Sequence, residues 1–96
     1  MVVHAEQIVT VAADTEDAFA LARRILDSVG QVSHVDVTGR FLRGSTRCGL
    51  QRVRVGITAV PGKGGTRLMV ETSSDGAHGK AARKGLRRVV GALATV

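Results

Sequence analysis

Four extended runs follow one another between Gln31 and Ser73 with only a few residues between them. That spacing constrains the fold more than any compositional property does. Parallel neighbours need a crossover of a dozen or more residues, whereas antiparallel neighbours need only a short turn. Gly39, Gly49 and the Pro61–Gly65 segment are such turns. The clearest run is Leu50 to Val60, where Val53, Val55, Ile57 and Ala59 point one way and Arg52, Arg54, Gly56 and Thr58 the other. Gln31 to Thr38 alternates likewise, with Ser33, Val35 and Val37 on one side and His34 and Asp36 on the other. Arg40 to Cys48 continues as a strand in which Gly44 marks a bulge or bend. Thr66 to Ser73 ends the meander, with Leu68 and Val70 inward.

A further strand precedes the meander, His4 to Ala12, carrying Ile8, Val9 and Val11. A helix separates the two. Asp14 is its N-cap with Asp17 three residues on, and acids at 14, 16 and 17 suit the positive end of the helix dipole. Ala18, Leu21, Ala22, Ile25 and Val29 fall at helical spacing, with Phe19 and Leu26 flanking that stripe, and Gly30 is a stop able to take positive φ. Ser74 to Gly79 is a connection. Gly79 to Leu93 reads as a second amphipathic helix that buries Ala82, Leu86, Val89 and Leu93 and leaves Lys80, Arg83, Lys84, Arg87 and Arg88 wet. Gly85 and Gly91 inside it each cost about 1 kcal/mol against alanine, which a close helix–sheet contact would explain.

The expectation is a single α+β domain over residues 1–96, ordered β-α-β-β-β-β-α. The helix after the first strand makes strands one and two parallel, and the fifth strand then runs opposite to the first and pairs with it. The sheet order expected is 1-5-4-3-2, an antiparallel meander with both helices on one face.

Charge is divided unequally. Residues 1–36 hold six acids and two bases, and residues 37–96 hold twelve bases and two acids, for a net +6. The basic part fits an anionic partner: nucleic acid, anionic lipid, or an acidic or phosphorylated ligand. Arg43 and Arg47 share one side of the third strand, Arg52 and Arg54 one side of the fourth, and Arg67 joins them from the fifth if the register allows. Like charges opposite one another destabilise a sheet, so such a cluster favours an anion that relieves the repulsion. Arginine stems covering a solvated sheet face are the plainer reading. Tyr and Trp are absent and Phe19 and Phe41 are the only aromatic residues, so nucleic-acid binding through this face would be backbone-driven and nonspecific.

Catalytic signals are weak. His4, His34, His78 and Cys48 have no metal-ligand spacing. His34 and Asp36 share a strand side, an arrangement more often simply polar than an acid/base pair. Gly62-Lys63-Gly64-Gly65 joins strands and lacks the rest of a phosphate loop. No catalytic residue, metal or cofactor is expected. A lone cysteine forms no internal disulfide, no run reaches the length of a membrane span, and the start Met1-Val2-Val3-His4 lacks a basic leader, which fits a cytoplasmic protein.

Two segments resemble a known family. "VAADTEDAFALARRI" after a first strand is similar to the opening of the START-like, helix-grip superfamily, which includes polyketide cyclases. "GGTRLMVETSSDGAHGKAARKGLRRVVGAL" is similar to its end: a Gly-rich hairpin, a last strand and a long basic helix. Members usually have more strands and a second short helix, so the chain resembles a trimmed version. The topology equally resembles the half-repeat of the TATA-binding protein fold. The first resemblance implies a noncatalytic binder of a hydrophobic or amphipathic anionic ligand, held between sheet and last helix by Leu42, Val55, Ile57, Met69 and Leu86. The second implies a sheet face able to lie on nucleic acid. A third reading is an interaction module, a homodimer formed through an edge strand or the helix.

Overall fold

The computed structural model describes residues 3–74 and 80–94. Strands β1 (Val3–Val11), β2 (Gly30–Asp36), β3 (Phe41–Cys48), β4 (Gln51–Gly62) and β5 (Gly65–Ser74) form one antiparallel-paired sheet in the order β1-β5-β4-β3-β2. Helices α1 (Thr15–Val29) and α2 (Lys80–Ala94) both pack on one face of it. Layout and strand order are those expected from the turn lengths. The connection expected over Ser74 to Gly79 lies outside the described residues beyond Ser74, as does His78.

The core sits between the helices and β3, β4 and β5. Leu42, Val53, Val55, Ile57, Leu68 and Val70 rise from the sheet against Ala18, Ala22 and Leu26 of α1 and Ala82, Val89 and Leu93 of α2. Three buried threonines fasten the layers. Thr46 Oγ1 donates to the Val29 carbonyl at the end of α1 (2.7 Å), Thr66 Oγ1 to the Ala13 carbonyl just before α1 (2.9 Å), and Thr72 Oγ1 to the Ala82 carbonyl in α2 (2.7 Å). A hydroxyl on the core face satisfies its own hydrogen-bonding need this way and pins a backbone group at the same time.

Asp14 caps α1 as expected, its Oδ1 accepting from the Asp17 amide at 2.8 Å. Several local expectations need correction. The buried stripe of α1 is Ala18, Phe19, Ala22 and Leu26, with Leu21, Ile25 and Val29 only half-buried. Gly30 does not stop α1 in a left-handed conformation: its φ is −166°, and it opens β2 where a Cβ would overlap the Ser45 carbonyl. Gly44 is not a bulge. It lies buried in β3, where a Cβ would collide with the Gln31 carbonyl and crowd Leu26. The bulge is in β2 instead, between Val32 and His34. The extra residue, Ser33, turns outward and brings Val32 and Val35 to the helix side, while Val37 leaves the sheet and is 71% exposed in the turn.

The Pro61–Gly65 segment is mostly strand. β4 runs to Gly62 and the turn is only Lys63-Gly64. Pro61 fits because β4 outruns β3, whose last rung is Phe41–Thr58, so its missing N–H leaves no β3 carbonyl unpaired. Gly85 carries the close contact expected of it: a Cβ there would stand 2.7 Å from Val53 Cγ1. Gly91 meets nothing within 4 Å.

Candidate anion-binding face

Among the described residues no element covers the face of the sheet away from the helices. Its side chains lie in rungs across the strands, set by the register. One rung, Ile8–Met69–Thr58–Phe41, is largely apolar. Ile8 is 57% and Met69 37% exposed. The next rung, Glu6–Glu71–Gly56–Arg43–His34, is charged at both sides and empty at its middle. Then come His4–Ser73–Arg54–Ser45–Gln31 and, towards the β3–β4 turn, Arg47 directly opposite Arg52.

Arg43, Arg47, Arg52 and Arg54 therefore share one face of two adjacent strands, as their alternation implied. Arg67 is on the same face but does not join them. It stands on the Val60 rung, six residues along β5 from the Ser73 rung of Arg54, a separation of roughly 20 Å at the rise of a strand. Cys48–Gln51 closes the β3–β4 hairpin around the two-residue turn Gly49-Leu50. Gly49 has φ +66°, the positive value this tight turn demands.

Each cation is held differently. Arg43 lies over the Phe41 ring, 5.4 Å from its centroid, a cation–π contact. Arg54 Nε donates to Ser73 Oγ at 3.2 Å. From the other side of the sheet, Arg88 of α2 wraps round to donate from Nη1 to the Arg47 carbonyl at 2.6 Å. A shallow open depression of about 260 Å³ lies over Gly56, where the absent side chain leaves room, walled by Phe41, Arg43, Arg54, Glu71 and His4. A second hollow of about 310 Å³ at the hairpin end is lined by Gln31, Ser45, Arg47, Arg52 and Arg88 and, among the described residues, by no carboxylate. His4 Nε2 sits 3.9 Å from Oε2 of both Glu6 and Glu71, which face each other across β1 and β5. Among the described residues no group of three His, Cys, Asp or Glu side chains is placed to hold a metal ion.

The five apolar residues expected to line a cleft beneath the last helix do not line one. Leu42, Val55 and Ile57 are packed solid in the core with Leu86 against them, and Met69 lies on the opposite face. Alternation along β5 sends Met69 away from Leu68 and Val70, so the five could never have converged. Two residues that matter here were passed over in the sequence. Leu50, expected at the start of a strand, is in the hairpin turn and wholly exposed. Its signal was an apolar residue next to Gly49 on the arginine side of the alternation. Arg88, counted with the wet side of the last helix, reaches the hairpin instead; nothing in helical periodicity marks that.

Compared with known proteins, the chain matches no family model, and no curated protein is significantly similar to it in sequence. No helix among the described residues is long and apolar enough to cross a membrane.

Proposed function

We propose that the chain is a noncatalytic binding protein for an amphipathic anion, seated on the open sheet face instead of beneath α2. The observation that carries this reading is the arginine group itself. Arg47 and Arg52 are paired like with like, and Arg54 and Arg43 follow on the next rungs, paired in the ladder with Ser45 and Ser73 and with Gly56 and His34. Such a group gains from an anion that cancels its self-repulsion. Beside it, the Phe41–Met69–Ile8 row offers apolar contact to a ligand's tail, and the hollow over Gly56 joins the two. A shortened helix-grip protein of the START-like kind is compatible with this strand order, and that kinship is part of the proposal; fold alone carries no function.

The test is thermal denaturation followed by circular dichroism, since the chain has no Trp or Tyr. Monomeric alkyl phosphates or fatty acids are compared with their neutral alcohols. A ligand at a hundred times its Kd stabilises by about 2.7 kcal/mol, so the anions are expected to raise the midpoint and the alcohols not. Arg54→Gln and Arg47→Gln should lose the shift. Equal shifts for anion and alcohol, or none, overturn the reading.

A second reading rests on the same arginines: contact with a nucleic-acid backbone. The long, open face favours it, while Phe41 is the one aromatic ring there. A gel shift at low and moderate salt decides it, and absence of binding at low salt removes it.

A further inference from the structure

The ends of the molecule differ in charge. β1 runs toward the end where α1 begins, and there Asp14, Glu16 and Asp17 in the cap and first turn are mixed with Arg40, Lys63 and Arg67 of the two turns and β5. β3 and β4 meet at the other end, in the Gly49-Leu50 turn. α2 follows β5 at that same end and opens with Lys80, Arg83 and Lys84, with no acid in its first turn. Cations at a helix N-terminus oppose its dipole, and Arg47 opposes Arg52. Both placements work against stability, and both are at one end. In the hairpin turn at that end is a leucine, 100% exposed. Asp27, in the last turn of α1, is set aside from this group, lining the hollow at the β2 edge with Arg23, Arg24 and His34.

We infer that the β3–β4 hairpin end docks on an anionic bilayer surface. Leu50 enters the interfacial layer, and Arg47, Arg52 and Arg88 take lipid phosphates around it. An apolar tip inside a collar of bases is the arrangement an interface rich in acidic lipid rewards: the side chain gains burial, and each base near the surface strengthens binding about fivefold. At the far end acids and bases are mixed, so the one-signed hairpin end is the one the field draws in, and the molecule is oriented with the hairpin down. This inference rests on the anion-binding reading above, and narrows it from any amphipathic anion to lipid headgroups presented by a bilayer.

The absence of native tryptophan makes the experiment direct. Leu50→Trp places one fluorophore at the tip, and Val37→Trp places one in the β2–β3 turn at the opposite end. Each is titrated with vesicles of phosphatidylcholine alone or with a third phosphatidylserine, at 50 mM and 500 mM salt. The expected result is a blue shift for tryptophan at 50 and none at 37, on the serine-containing vesicles only, with binding at least tenfold weaker at high salt. Leu50→Asp, with an unchanged circular dichroism spectrum, should lower vesicle binding about tenfold by sedimentation. No shift at position 50, an equal shift at 37, or equal binding to neutral vesicles overturns the inference. If monomeric alkyl phosphate stabilises the protein while vesicles do not bind, docking falls and the anion-binding reading stands. If neither binds, both fall.

Discussion

Replacing Gly85 and Gly91 separately by alanine gives the same chemical change in the same helix at two sites that the packing treats differently. In a helix interior the exchange is worth about 1 kcal/mol in favour of alanine. At Gly91 nothing lies within 4 Å of the new Cβ, so most of that gain should be realised, less some fraying near the end of α2. At Gly85 the Cβ would stand 2.7 Å from Val53 Cγ1, 3.2 Å from Val53 Cβ and 3.4 Å from Thr46 Cγ2. Neither neighbour yields easily. Val53 is β-branched and fully buried on β4, and Thr46 is held by its bond to the Val29 carbonyl. Overpacking of this kind costs about 1–3 kcal/mol, which offsets the propensity gain or exceeds it by up to about 2 kcal/mol. Because propensity is nearly common to both variants, their difference isolates the contact: about 1–3 kcal/mol. For a domain of this size each kcal/mol moves the midpoint by about 4–8 °C, so Gly85→Ala should melt at least about 4 °C below Gly91→Ala. The ellipticity at 222 nm reports the transition. If Gly85→Ala melts as high as Gly91→Ala, α2 does not lie on Thr46 and Val53 in the way described, and the seating of Arg88 against the hairpin goes with it.

Arg47→Thr and Arg52→Thr should each stabilise the unliganded protein at low salt, by about 0.2–1 kcal/mol, through relief of the cross-strand repulsion; urea denaturation should show that gain shrinking at 500 mM salt as the charges are screened. Thr72→Val keeps the shape of a buried side chain but removes its bond to the Ala82 carbonyl, and should lower stability by about 1 kcal/mol; an unchanged urea midpoint would mean that this bond contributes nothing.

The architecture was legible because it followed from lengths. Turns too short for crossovers force a meander, and one helix-length link before it puts β1 beside β5. Faces were legible wherever alternation was strict, as along β4, where all four inward residues are buried. Reading failed where one residue broke the period. The bulge turns Ser33 away from the side it was expected to share with Val35, while His34, Val35 and Asp36 keep their expected sides, and no property of serine announces it. Glycines misled for a related reason. Gly30 and Gly44 look like a helix stop and a bend, yet both are small because another strand's carbonyl passes close by, and that neighbour is distant in sequence. The arginine face followed from periodicity, but its limits did not: register alone decides that Arg67 stands apart from Arg54, and register is a long-range property.

The arrangement of charge is harder to account for by solubility than the number of charges is. A chain with fourteen bases and eight acids keeps its solubility wherever they are placed. Spread evenly, they would bring fewer like-charge contacts. Here acids occupy the start of α1, where the dipole welcomes them, and bases occupy the start of α2, where it does not. The same end brings Arg47 against Arg52 and draws Arg88 round from the opposite face, its guanidinium committed to the Arg47 carbonyl. The bases at the start of α2 and the Arg47–Arg52 pair each weaken the isolated fold a little, and each raises the positive potential around one apolar tip. Local choices that oppose stability and agree with one another in direction point to a partner outside the chain. On the proposal of bilayer docking, the sign of the potential would make that partner anionic, and the leucine at its centre would make it amphipathic.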